Sequence, residues 1–210
     1  MAGSIDVYDP ICRKIAISAQ RIVVAADYRL APESPFPIGI EDGAAVLDAC
    51  LAMLDRLGLN YLPGIVLVGD SAGGAMSATL AHQYQTDKKQ KIDKLVLIYP
   101  SLDYSLRSPS TDLFGIGYLL EKEKIQWYFD HYFSSDEERG LASPIDMEIT
   151  DNFPETMVIT AGLCPLRDEG IHYANRLKKH AIATRHIDFK ETVHAFLNLE
   201  DIVPKQCGLL

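Results

Sequence analysis

Residues 69–73 read Gly69-Asp70-Ser71-Ala72-Gly73, a glycine-x-serine-x-glycine pattern. A serine hydroxyl is a weak nucleophile until it is exposed and handed to a base. The pattern supplies the exposure when it joins a strand to a helix: a sharp turn lifts the serine oxygen above the sheet. The flanking glycines let the backbone pass without a Cβ clash. The helix that follows points its N-terminus, and the amide of Ala72, at charge developing beyond Ser71. The chemistry implied is acyl transfer, with Ser71 as nucleophile and Ala72 as oxyanion donor. It calls for no metal and no cofactor.

The surrounding elements meet that requirement. The apolar run 65–69 (IVLVG) precedes the serine and a helical pattern over 73–86 follows it. Other short apolar runs predict strands over 21–27 (RIVVAAD), 95–99 (LVLIY) and 157–161 (MVITA), with a more polar one over 184–189 (TRHIDF). The middle runs are apolar at consecutive positions, as strands covered on both faces are. Helical patterns over 9–19, 41–57 and 168–180 alternate with them. This alternation predicts an α/β fold with a mostly parallel sheet, helices on both faces and right-handed crossovers. Residues 101–151 break the rhythm and carry an aromatic helix over 125–133 (IQWYFDHYF). Such an excursion either lies over the strand ends near the site or packs as an ordinary helix on the sheet.

The 210 residues suit one α/β domain, and 48% hydrophobic content is enough for a sizeable core. A net charge of -9 lacks the basic footprint that nucleic acid or an anionic membrane surface requires. No apolar run reaches the roughly 18 residues of a membrane span. The first nine residues carry two aspartates and no basic, apolar leader. Cys12, Cys50, Cys164 and Cys207 are far apart, without metal or redox spacing. Reduced thiols and a cytoplasmic location are the expectation.

Four segments in order resemble the hormone-sensitive-lipase-like esterases, the GDXG branch of the α/β-hydrolase superfamily. They are GDSAGG at 69–74, DYRLAPE at 27–33 with Phe36-Pro37 after it, PLRDEG at 165–170, and Val193-His194-Ala195-Phe196. The resemblance covers nearly the whole chain. It implies a three-layer hydrolase sheet, hydrolysis of short-chain carboxylic esters through an acyl-enzyme, and His194 as general base and then acid. His82, His131, His172, His180 and His186 lie within helices or a strand and read as structural. Tyr28, Arg29 and Glu33 read as a hydrogen-bonded corner, and Asp70 as a support for the turn.

Three departures shape the expectation. The family's orienting aspartate falls on Cys164, and a neutral thiol cannot stabilise an imidazolium as a carboxylate does. Asp168 or Glu169 can be considered as substitutes, although both also suit the acidic first turn of a helix; Asp168 is the substitute acid taken forward. The His-Gly-Gly-Gly oxyanion loop, which the family carries upstream, is absent. The strand leading into that loop is absent too, along with the N-terminal strands and cap. The expectation is therefore a partial hydrolase domain over 1–210, truncated at both ends, with 101–151 as a cap-side insertion and Met1 as an internal methionine of a longer gene. Its esterase chemistry on small ester substrates is impaired. Exposed strand edges would bring marginal stability, homodimerisation, or direct joining of the two bereft strands. The alternative is a non-catalytic ligand-binding or remnant protein of the same fold.

Overall fold

The sheet forms where apolar, β-branched runs find parallel partners. In the computed structural model, which describes residues 3–87 and 91–203, four strands pair in chain order. They are β1 (Ile65–Asp70), β2 (Ile92–Ile98), β3 (Glu155–Leu163) and β4 (Thr184–Val193), all parallel. The register sets Asp70 beside Ile98, and Ile98 beside Ile159. All four strands therefore end toward one edge of the sheet. Ser71, Tyr99, Cys164 and His194 are the residues that immediately follow β1, β2, β3 and β4. In open α/β sheets that carboxyl edge is where sites are built.

Two helices, α1 (Ile5–Ala19) and α2 (Ile38–Arg56), precede the sheet; the crossovers hold α3 (Ala72–Tyr84) between β1 and β2, α4 (Pro109–Leu113), α5 (Lys122–Tyr132) and α6 (Asp136–Leu141) between β2 and β3, and α7 (Arg167–Lys179) between β3 and β4. Ser4 starts α1 by accepting the Val7 amide, so the helix begins four residues before the apolar pattern does. Side-chain alternation along β2 divides the core. Leu95 and Leu97 pack with Ala78 and Ala81 of α3 and Tyr173 and Leu177 of α7. Ile98 and Val96 pack in a second cluster with Ile187, Phe189 and the fully buried Phe196. The small residues of α3 let it lie close to its neighbours: a Cβ on Gly74 would stand 2.8 Å from Pro100. A Cβ on Gly43 of α2 would meet Met76 at 3.1 Å.

One expected strand is not formed. Residues 21–27 join no ladder, and Ile22 and Val24 are 41% and 40% exposed. The physical reason is the partner. β-branched composition favours an extended chain, but a strand is completed by hydrogen bonds to a neighbour. β1 pairs only with β2 among the described residues, and Val66 and Val68 on it are 37% and 42% exposed. The two segments do not join directly. Elsewhere the strands run longer than their apolar cores: β4 continues through Lys190 and Glu191 to Val193, with a register shift opposite Gly162. A Cβ on Gly162 would lie 2.2 Å from the Lys190 carbonyl, so only glycine admits that approach.

Residues 101–151 sit between β2 and β3 and contain α4, α5 and α6. Ile125, Phe129 and Tyr132 of α5 are buried, and Tyr104, Phe129 and Phe133 contact one another edge-on or tilted. Trp127 on the same helix is half-exposed. No helix among the described residues is long and apolar enough to cross a membrane. Met1 and Cys207 lie outside the described residues.

Candidate active site

The turn after β1 holds Ser71 at φ 51° and ψ -116°, a region that non-glycine residues rarely enter. Such strain persists only where neighbours over-determine it. Here the Ser71 amide donates to the Ile98 carbonyl at 2.9 Å, and the Ser71 carbonyl accepts from Ala75 and Ser101. Gly69 makes the turn sterically feasible, because a Cβ there would fall 2.1 Å from the Gly73 carbonyl oxygen. Ala72 opens α3, so its amide belongs to the helix's first turn, whose N–H groups have no intrahelical acceptor.

From the end of β4, His194 reaches across the carboxyl edge. Its Nε2 lies 2.9 Å from Ser71 Oγ. Its Nδ1 lies 3.2 Å from Cys164 Sγ, which also accepts from the Leu166 amide at 3.4 Å. Ser71, His194 and Cys164 thus stand in line, each delivered by a different strand end. His194 is 6% exposed and Cys164 is fully buried. Burial pushes the His194 imidazole down to about 3 and the Cys164 thiol up to about 12. Both groups are neutral near pH 7.

That neutrality has a consequence for the proton. A carboxylate accepts only, so it holds the imidazole with Nδ1 protonated and Nε2 free to take the serine proton. A thiol can accept from Nδ1–H, or donate to a bare Nδ1 and leave Nε2 protonated. Only the first arrangement makes His194 a base toward Ser71. Cys164 also offers no negative charge to an imidazolium.

Asp168, the substitute acid considered from the sequence, has its carboxylate engaged elsewhere. It accepts from the Ser110 amide at 2.9 Å and from Arg167 Nε at 2.8 Å, tying α4 to the start of α7. Glu169 is fully buried and accepts from the Leu102 and Asp103 amides; its burial raises its carboxyl well above the usual range. It bridges α7 to the segment after β2. His82 is held between the Glu148 carbonyl and the Tyr173 hydroxyl. Arg29 forks onto Asp42 of α2, a partner the sequence reading did not name. Tyr99 was read as the last residue of a strand; its ring stands edge-on to His194 at 4.8 Å between centroids. An aromatic residue ending an apolar strand carries no signal of that contact.

Comparison with known proteins places this geometry. The alpha/beta hydrolase fold family matches residues 1–198. The chain belongs to that family. Its motifs and relatives are those of the hormone-sensitive-lipase-like esterases. It is 30% identical over 206 residues to an ethyl acetate hydrolase of Pseudomonas putida, covering 97% of this chain and 64% of that protein. It is 36% identical over 207 residues to the carboxylic ester hydrolase LipN of Mycobacterium tuberculosis, covering 94% of this chain and 54% of that protein. A hyperthermophilic esterase from Pyrobaculum calidifontis superposes with a TM-score of 0.91 at 31% identity, over 99% of this chain and 69% of that one. This chain therefore spans less than two thirds of the length of these two curated relatives.

Proposed function

We propose that the chain hydrolyses small, short-chain carboxylic esters through an acyl-enzyme on Ser71, at a rate limited by Cys164. The observation that carries this reading is the 2.9 Å contact between His194 Nε2 and Ser71 Oγ, with Ser71 held in the strained turn. In the competent tautomer His194 takes the serine proton as Oγ attacks the ester carbonyl. The developing oxyanion faces the amide of Ala72 and the N-terminus of α3. The proton then passes from His194 to the leaving alcohol. Water, deprotonated by the same imidazole, releases the acid and restores Ser71. Each attack, by Ser71 and then by water, charges His194 in a buried site facing a neutral thiol, which is why slow turnover is expected. Cys164 equally supports a second reading, in which the fold binds a small ligand without turning it over.

A fluorescent organophosphonate separates the two. It phosphonylates a serine only where a base activates it. Labelling is expected in the wild-type chain and absent in Ser71→Ala, with p-nitrophenyl acetate hydrolysis following the same order. Wild-type labelling no higher than that of the Ser71→Ala chain refutes the esterase reading and leaves ligand binding.

The homodimer expectation is kept as part of this proposal. The unpaired edge of β1, with Val66 and Val68 exposed, supports it. Light scattering is expected to give twice the chain mass at micromolar concentration; a stable monomer across that range rejects it.

A further inference from the structure

Asp70, the residue before the nucleophile, is partly buried, and its carboxylate is held by two phenols. Its Oδ2 accepts from the Tyr8 hydroxyl at 2.9 Å and from the Tyr99 hydroxyl at 3.3 Å. Neither tyrosine stops there. The Tyr99 hydroxyl lies beside the Leu197 backbone and the Tyr8 hydroxyl beside the Asn198 side chain. Leu197 and Asn198 belong to the short turn Phe196–Leu199 that follows His194. One carboxylate at the end of β1 therefore holds two phenols that border the histidine-bearing turn. The Tyr99 ring adds edge-on contacts to His194 and to Phe196, at 4.8 and 5.2 Å between centroids.

Two further observations point the same way. Ser71, Tyr99 and Ala195 all take positive φ, at 51°, 36° and 59°. Strained residues thus flank both ends of the network, where neighbours must hold them. Helix α1 has no fully buried residue, yet Tyr8 and a Lys14–Glu200 ion pair fasten it over this turn.

We propose that Asp70, acting through Tyr8 and Tyr99, is the positioning residue that registers the His194 turn against the nucleophile. This rests on the reading of Ser71 and His194 as the reacting pair. Elsewhere in such sites a carboxylate at Nδ1 orients the imidazole; here Nδ1 meets a thiol, so orientation falls more heavily on contacts to the turn itself. A charge-assisted network of this kind is stronger than neutral hydrogen bonds of the same geometry.

The test compares Asp70→Asn, Tyr8→Phe and Tyr99→Phe in the full chain. Asparagine keeps an acceptor oxygen and removes the charge. The expected result for Asp70→Asn is about a tenfold slower organophosphonate labelling of Ser71 and about a tenfold faster hydrogen exchange at the Asn198 amide, which donates to the Ala195 carbonyl within the turn, at an unchanged melting temperature. The His194 ring nitrogens are expected to shift in the ¹⁵N spectrum. Tyr99→Phe combined with Asp70→Asn is expected to cost less than the sum of the two. Unchanged Asn198 exchange and unchanged His194 shifts in Asp70→Asn overturn the proposal. So do changes in all three variants that merely track lost stability. If the wild-type chain does not label at all, the esterase reading fails, while the exchange and ¹⁵N measurements still decide the role of Asp70.

Discussion

Cys164→Asp is expected to raise the rate of p-nitrophenyl acetate hydrolysis by about 10³- to 10⁴-fold, the size of the loss when the orienting carboxylate of a serine triad is neutralised. The position is already built to receive it. Sγ lies 3.2 Å from His194 Nδ1 and accepts the Leu166 amide, so an aspartate oxygen inherits two donors. The substitution removes the competing tautomer, because a carboxylate cannot donate to Nδ1. It also supplies the charge that the imidazolium lacks. The pH profile is expected to move with the rate. In the wild-type chain burial alone sets His194, at about 3, so the basic form persists far into acid. Beside an aspartate the imidazolium is stabilised, and the acid limb of kcat/KM moves upward. Cys164→Ser, neutral and of similar size, is the control and is expected to show neither change. A Cys164→Asp chain that is folded but no faster than wild type would place the limiting defect outside the acid position.

Gly69→Ala is expected to destabilise the fold by more than about 4 kcal/mol and to abolish Ser71 labelling. The added Cβ would lie 2.1 Å from the Gly73 carbonyl oxygen and 2.3 Å from its carbon. Those are backbone atoms of the same turn, so no side chain can move aside, and relief requires opening the turn that poses Ser71. Gly73→Ala tests the same motif with the opposite expectation. Its Cβ would meet only Asp70 Oδ1, at 3.9 Å, in the first turn of α3. Helix propensity then favours alanine by roughly 0.5–1 kcal/mol. Thermal melts and labelling of the two variants check both statements. Equal behaviour of the two glycines, in either direction, would contradict the steric account.

Much of this molecule is readable from local pattern. The elbow was legible because strand, turn and helix are consecutive, so 65–86 carries its own periodicity and its own glycines. The segments 95–99 and 157–161 were legible as strands because both faces are covered and the apolar run is continuous. Ends were less so. The apolar pattern of the last strand fades after Phe189, yet β4 runs on to Val193, because pairing to β3 resumes beyond the shift at Gly162. His194 takes its position from that extension. The segment 21–27 shows the converse: its composition is that of a strand, and it pairs with none.

The amino-acid order alone determined the fold class, the nucleophile turn and, through its motif, the histidine. These depend on neighbours within a few residues or on a pattern that repeats along the chain. The motif also put Cys164 where the residue orienting His194 belongs, and the fold brings the two together across 30 residues; tertiary structure alone decided that Asp168 serves Ser110. It also decided that Asp70 gathers Tyr8 and Tyr99 from 62 and 29 residues away. Hydrogen bonds and ring contacts between distant strand ends leave no periodicity behind. They exist because four parallel strands finish at one edge, and only the packed sheet brings those ends within reach of one another.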